Sequence, residues 1–342
     1  MKEKLSQPRL IAFEVTQRCR LNCRHCRANA SRTAVAEELS TEQCKKIIKS
    51  IADYKKSVII FTGGEPLERD DIYELIEYCR ELGLPAVMAT CGFGIDAEVM
   101  GKLKRAGIMA MSFSLDGASA GSHDEFRGVE GAYGWAIAAA KCAKDAGVRF
   151  QINTTISKLN IDEIVDIEKK AEQIGAYCFN PFILVPTGRG GELSGAVLDP
   201  DEYKRVLELL IEIKERSNIE VRVTCGPQFA RLCRERGIKN LSGSTSGCMG
   251  GRGFGFISHK GDVQTCGFLQ ISAGNLVENG YDFRGIWQGS EFLNDIRSLS
   301  YKGRCGKCGF VGICGGCRAR AYTMTGDYMG QDPVCFWGGD KG

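Results

Sequence analysis

The sequence has no long apolar run. None of its hydrophobic stretches approaches the roughly 18 to 20 residues that a membrane-spanning helix requires, so no spanning segment is expected. Charge imbalance is missing too. Lys and Arg total 45 against 42 for Asp and Glu, a formal net charge of +3. That gives no electrostatic reason to expect nucleic acid or an anionic membrane as partner. The stretch from Met1 to Arg9 is polar, lacks the apolar core of a signal peptide, and runs straight into a strand-like segment. A cytoplasmic protein is expected. Internal repeats and low-complexity segments are absent from the sequence. What is present is equally informative. The chain has 342 residues, 43% of them hydrophobic, enough for a sizeable core. Glycine accounts for 43 residues, well above the usual level of about 7%, and glycine lets backbone approach a ligand closely. Cysteine accounts for 17. In a chain with no export signal, a reducing compartment disfavours structural disulfides, and clustered cysteines point to metal or redox chemistry.

Strand and helix signals alternate through the first two thirds. Strands are predicted at Leu10–Val15, Val58–Thr62, Ala86–Thr90, Met109–Ser114, Arg149–Ile156 and Cys178–Leu184. Between them lie helical patterns. One is opened by a capping box from Ser40 to Gln43 and another is marked by Ile72, Leu75, Ile76 and Cys79. Further helices are predicted over 97–105, 131–146 and 162–174, and a last one runs from the cap Asp199 to about Ser217. Six such βα units imply a parallel sheet covered by helices, curled into an open partial barrel with ligands at the C-terminal strand ends. From about residue 220 helical periodicity fades and cysteine density rises. Phe254–Ser258 and Val263–Thr265 read as a hairpin. Two domains are expected, 1–218 and 219–342.

Directly after the first strand stands Cys19-x3-Cys23-x2-Cys26. Three thiolates at this spacing can hold three irons of a [4Fe–4S] cluster, leaving the fourth iron to a small molecule. A structural zinc site closes its shell with four ligands, for which His25 is the available fourth. At the end of the second strand is Gly63-Gly64-Glu65-Pro66. Its glycines bring backbone close to a ligand, and Glu65 can accept hydrogen bonds from an ammonium group. The two motifs together, in this order, resemble the radical SAM superfamily. The resemblance implies a cluster on Cys19, Cys23 and Cys26 whose open iron is chelated by S-adenosylmethionine (SAM). It implies that Gly63, Gly64 and Glu65 contact the methionyl end, that Ser114 and Asp116 lie near the ribose, that Arg127 and Asn153 complete the pocket, and that Val185 lies near adenine. The aromatic residue often found before the last cluster cysteine is His25 here. Ser114 and Asp116 can equally be read as strand terminators, and Asn153 as a satisfied strand-end amide. Cys44, Cys79, Cys91, Cys142 and Cys178 read as small apolar packing residues.

The C-terminal third carries Cys248, Cys266, Cys305-x2-Cys308-x5-Cys314-x2-Cys317 and Cys335. On spacing alone, zinc ribbons are a rival reading. The pattern resembles the SPASM extension of radical SAM enzymes, which implies two auxiliary [4Fe–4S] clusters and three clusters in all. By that resemblance Cys248, Cys266 and Cys317 belong to one auxiliary cluster, and Cys305, Cys308, Cys314 and Cys335 to the other. Two features depart from the pattern. The last pair is separated by two residues rather than three, and no cysteine stands a few residues before Cys248, where Ser242 and Ser246 occur. Cys225 is the preferred fourth ligand and Cys233 the second choice; an open iron is a further possibility.

Longer stretches narrow the resemblance: 8–16, 185–190, 224–228, 256–259 and 317–321 look like the heme synthases of the siroheme-derived heme pathway. That implies oxidative decarboxylation of two propionates of Fe-coproporphyrin III to the vinyl groups of heme b, with an electron donor and an electron acceptor as partners. A substrate with four carboxylates needs cations, and arginine pairs with carboxylates bidentately. Arg189, Arg252, Arg318 and Arg320 are the expected anchors. His259, alone in the hairpin, could ligate the substrate iron but reads more simply as a turn residue. Siroheme or heme d1 precursors remain alternative substrates, as do peptides. With 18 residues before Cys19, no recognition domain of the peptide-modifying kind is expected there, although a separate partner could supply one.

Overall fold

The computed structural model describes residues 7–33, 37–238 and 247–338. Nine strands form one sheet: β1 (Leu10–Glu14), β2 (Val58–Thr62), β3 (Ala86–Thr90), β4 (Ile108–Ser114), β5 (Arg149–Ile156), β6 (Cys178–Ile183), β7 (Glu220–Val221), β8 (Phe254–Ile257) and β9 (Val263–Gln264). Their spatial order is β7-β6-β5-β4-β3-β2-β1-β8-β9. Every pair is parallel except β8 with β9, which form the antiparallel hairpin read from the sequence. The predicted six-unit open barrel is therefore present, and both of its edges are extended by later residues. β7 adds beside β6. On the other side β8 pairs with β1, Leu10 opposite Phe254 and Phe13 opposite Ile257. The sheet thus runs across the sequence boundary at 218/219.

Side chains alternate across each strand, and the two faces have different chemistry. Ile11, Phe13, Ile59, Phe61, Met88, Met111, Phe113, Phe150, Ile152 and Phe179 join one hydrophobic core. The helices meet them with Ile47, Ile48 and Ile51, with Leu75 and Ile76, and with Leu207 and Leu210. The opposite face carries Glu14, Ser112, Ser114, Asp116, Gln151, Asn153 and Asn180, the polar lining expected of a face that meets ligands rather than helices.

Helix starts follow their caps. Ser40 and Gln43 close a reciprocal capping box on Thr41–Tyr54, and Asp199 with Glu202 does the same for Pro200–Arg216. Sequence periodicity missed the helices Ala120–Arg127, Gln228–Glu235, Phe283–Gly289, Glu291–Ser298 and Arg318–Thr325. Each has seven or eight residues, shorter than the window in which a 3.6-residue period becomes visible. The fading of helicity after residue 220 is thus a shortening of helices and not their loss.

Candidate functional site

Cys19, Cys23 and Cys26 lie in the loop that leaves β1 at the C-terminal edge of the sheet. Backbone bonds tie the loop to the end of β2: Gly64 N donates to Thr16 O at 2.8 Å and Glu65 N to Arg18 O at 2.8 Å. The fit is close enough to exclude side chains. A Cβ on Gly63 would overlap Thr16 O, and one on Gly64 would overlap Arg18 O. Arg189 reaches the same loop from the segment after β6. Its backbone N donates to Cys26 O (3.0 Å), Nε to Cys23 O (3.0 Å) and Nη1 to Ala30 O (2.7 Å).

Cys19 and Cys23 are buried and Cys26 is half-buried. Burial pushes the Cys19 thiol up to about 12, and neighbouring Glu65, Cys23 and Cys26 push the same way. Burial also raises Cys23, against the pull of Arg127. Buried thiols such as Cys19 and Cys23 that resist ionisation need a strong external cation to become thiolates, which cluster iron would supply. Among the described residues no three His, Cys, Asp or Glu side chains converge on one point as ligands of a single ion would; cluster thiolates each bind a separate iron. The donor set fits the cluster.

Glu65 is buried. Its carboxylate accepts from Thr90 Oγ1 (2.8 and 2.9 Å), Cys91 N (2.9 Å) and Leu67 N (3.3 Å). Burial still raises its pKa, the opposing hydrogen bonds notwithstanding. A carboxylate held this firmly with no cation beside it is suited to a ligand ammonium. Cys91 shares the packing cluster of the cysteine loop and holds Glu65 through its backbone N–H, so it does more than fill space. Cys44, Cys79 and Cys178 are buried in the core.

Beyond β4, Asp116 and Arg127 meet each other. Arg127 Nε donates to Asp116 Oδ2 at 2.7 Å, Thr155 N donates to Oδ1 at 2.7 Å, and Arg127 Nη1 lies 3.7 Å from Cys23 Sγ. Burial would raise the Asp116 carboxyl, but Arg127, with His25 and His123, holds it below the usual range. Both oxygens are engaged within the protein, and the pair fastens β4 to the cysteine loop. His25 packs against Phe126, ring centroids 4.7 Å apart, taking the place of the aromatic that usually stands there. Asn153 joins an amide chain: its Oδ1 accepts from Gln151 Nε2 (2.8 Å) and Asn180 Nδ2 (3.2 Å).

Cys225, Cys248, Cys266 and Cys317 come from four separate segments and are close enough for each thiol to feel the others' charge. The two thiols of Cys225 and Cys317 act on each other most strongly: Cys317 is lowered and Cys225 rises well above its ordinary value. Cys225 has φ +58°, a left-handed conformation rare for residues other than glycine and common at functional positions. Cys233 is instead buried in the main core, and Ser242 and Ser246 lie outside the described residues. Val185, at the end of β6, packs in the same cluster as Cys225, Cys266 and Cys317.

Cys305, Cys308, Cys314 and Cys335 line a small cleft together with Gln228 and Trp337. Arg231 stacks over Trp337 (4.0 Å) and Phe310 (5.2 Å) at its wall.

The four arginines expected to grip carboxylates all have partners within the protein. Arg320 is fully buried and forms a bidentate pair with Asp332, at 2.9 and 2.8 Å. Its Nη1 donates to Cys225 O (3.1 Å), while Asp332 accepts from Cys317 N (2.9 Å) and Gln228 Nε2 (3.0 Å). Arg318 donates to Tyr328 O and Gly330 O, and its Nη2 lies 3.6 Å from Cys305 Sγ. Arg252 donates to the Tyr301 hydroxyl at 3.1 Å. Arg189 holds the first cysteine loop. Loops that present buried thiols also present buried carbonyls, and a guanidinium with five donors satisfies several at once. These arginines hold the loops that carry the cysteines. The sequence reading overlooked Glu14, Arg27, Gln228 and Asp332. A glutamate ending an apolar strand and an arginine directly after Cys26 were visible signals.

Comparison with known proteins agrees with this geometry. The radical SAM superfamily pattern matches residues 13–171 and an iron-sulfur cluster-binding domain pattern, SPASM, matches 248–309. The chain is 41% identical over 338 residues to the AdoMet-dependent heme synthase of Nitratidesulfovibrio vulgaris, covering 96% of this chain and 92% of that one. It is 40% identical over 341 residues to the AdoMet-dependent heme synthase of Methanosarcina barkeri, covering 96% and 97%. Among solved structures, Streptococcus suis SuiB bound to S-adenosylmethionine superposes with a TM-score of 0.77 at 21% identity, covering 98% of this chain and 79% of that one; this likeness is one of fold.

Proposed function

Because the chain belongs to the radical SAM superfamily and, within it, to the family of the AdoMet-dependent heme synthases, we propose that it decarboxylates two propionates of Fe-coproporphyrin III to the vinyl groups of heme b. The observation that carries this reading is the convergence of Cys225, Cys248, Cys266 and Cys317 beside Val185. Loss of carbon dioxide from a substrate radical leaves one electron to remove. An acceptor next to the SAM pocket meets that need.

Cys19, Cys23 and Cys26 hold the first [4Fe–4S] cluster. Gly63, Gly64 and Glu65 receive the methionyl end of SAM, and Ser114, Asp116, Arg127, Asn153 and Val185 surround the rest. When bound, SAM and the reduced cluster supply the 5′-deoxyadenosyl radical that abstracts a propionate hydrogen. Cys225, Cys248, Cys266 and Cys317 hold the first auxiliary cluster and Cys305, Cys308, Cys314 and Cys335 the second, three clusters in all. Residues 1–218 act as the SAM-cleaving portion and 219–342 as the electron-accepting portion. An external donor reduces the first cluster and an external acceptor empties the auxiliary ones. All the described cysteines are free thiols, in keeping with work in the reducing cytoplasm.

The test is anaerobic turnover of reconstituted protein with reductant, SAM and Fe-coproporphyrin III, with products read by chromatography and mass spectrometry. Heme b formed in step with 5′-deoxyadenosine is the expected result. 5′-Deoxyadenosine without porphyrin conversion would discard the substrate and turn attention to siroheme derivatives and then peptides.

A further inference from the structure

His259 follows β8, and its side chain is buried rather than displayed on a turn, with 6% of the residue exposed. Nδ1 lies 2.8 Å from Glu14 Oε1. Nε2 is buried and has no hydrogen-bond partner. The other Glu14 oxygen accepts from Arg27 Nη1 at 2.8 Å. Arg27 follows Cys26 and lies over the Phe256 ring, 4.6 Å from its centroid. A Cβ on Gly267, the residue after Cys266, would come within 2.9 Å of the Arg27 guanidinium carbon. His259, Glu14 and Arg27 thus form one hydrogen-bonded unit that bridges the cysteine loop of the SAM pocket and the first auxiliary thiol group.

The unit also fixes which imidazole nitrogen is available. A carboxylate beside Nδ1 favours the tautomer that donates from Nδ1, which leaves the lone pair on Nε2. That lone pair has no donor among the described residues. The carboxylates of the proposed substrate are themselves acceptors and do not complement it. The iron at the centre of the macrocycle does. A histidine oriented by a carboxylate through one nitrogen, with the other free, is the usual form of an imidazole metal ligand.

We propose that His259 Nε2 is an axial ligand to the iron of the tetrapyrrole substrate, with Glu14 and Arg27 as positioning residues; this rests on the reading under Proposed function. Iron ligation seats the macrocycle between the SAM pocket and the auxiliary thiols and makes the protein select iron-loaded over metal-free porphyrin.

The test measures binding of ferric coproporphyrin III and of metal-free coproporphyrin III to the cluster-loaded protein, by Soret absorption and electron paramagnetic resonance of the ferric iron. Wild type is expected to bind the iron form at least about tenfold more tightly, with a nitrogen-ligated iron signature. His259→Ala should lose that preference and signature, regain the signature with added imidazole, and bind metal-free porphyrin as wild type does. Glu14→Gln should keep the ligation with iron-dependent affinity lowered about 10- to 100-fold. Equal wild-type affinity for both porphyrins, or an unchanged iron signature in His259→Ala, would overturn the ligand assignment and leave the decarboxylation reading intact. Equal loss of both porphyrins in a folded His259→Ala protein would also overturn it, indicating a contact with the macrocycle edge. Failure of wild type to bind either porphyrin would remove the function reading and this proposal with it.

Discussion

The first cysteine loop and the first auxiliary thiol group are held in opposite ways. Cys19, Cys23 and Cys26 occupy one continuous loop, pinned from outside by backbone bonds to Gly64 and Glu65 and by Arg189. Cys225, Cys248, Cys266 and Cys317 come from four segments, and a buried bidentate pair, Arg320 with Asp332, ties two of those segments together from within. A loop pinned at its rim keeps three thiols in register. A group tied at its centre presents four thiols and closes around them. On the proposed function, that is the difference between a site that must admit a second ligand and one that needs only to pass electrons.

Substitutions can break the comparison. The largest effect is expected at the first loop: Cys23→Ala should reduce 5′-deoxyadenosine formation to background, measured by chromatography after reduction. Next, Asp332→Asn leaves a buried guanidinium without its counter-charge and should cost about 3–5 kcal/mol of stability. Denaturant unfolding reads the loss, and iron content should fall at the auxiliary group while the first cluster remains. If the first cluster fell equally, the two groups would not be held independently. Glu65→Gln should weaken SAM binding roughly 10- to 100-fold, the loss of a charged hydrogen-bond partner, seen by isothermal titration. Arg189→Ala sharpens the contrast. It should loosen the first loop and lower SAM cleavage several-fold while porphyrin affinity stays unchanged; weakened porphyrin affinity would restore it as a substrate anchor.

The smallest effect lies outside both groups. Burial raises Asp71, but Arg69 and Thr41 outweigh it and its pKa is lowered. A depressed carboxylate contributes stability above its unfolded pKa of about 3.9 and loses it as pH falls through the folded value. Asp71→Asn should therefore flatten the acid limb of the stability curve below about pH 4 by about 1 kcal/mol. The curve near neutral pH should move in parallel.

The strands were legible because alternation and β-branched runs are local: Val58–Thr62, Ala86–Thr90 and Arg149–Ile156 fall on the predicted residues. The cysteine spacings and GGEP were legible for the same reason. The pairing of β8 with β1 was not, since no local pattern says which distant strand will lie alongside. Nor were the roles of the arginines. Arg320 has a bidentate carboxylate partner as expected, but it is Asp332 in the chain itself. Which anion an arginine meets is decided by tertiary packing, and a sequence motif shows only that it will meet one. His259 reverses in the same way. A turn residue in one dimension becomes, through Glu14, a buried and oriented imidazole.

The pairing of β8 with β1 also sets an order of events during synthesis. β1 leaves the ribosome well before its neighbour on that side, Phe254–Ile257. Until then β1 presents an open edge of unpaired N–H and C=O groups, a template for aggregation. Contacts so distant in sequence also form slowly. The cysteine loop that follows β1 stays uncovered through the same interval. A chain cut at residue 218 would keep that edge permanently, so the SAM-cleaving portion should not survive as an independent piece. The sheet joins the two portions into which the sequence divides.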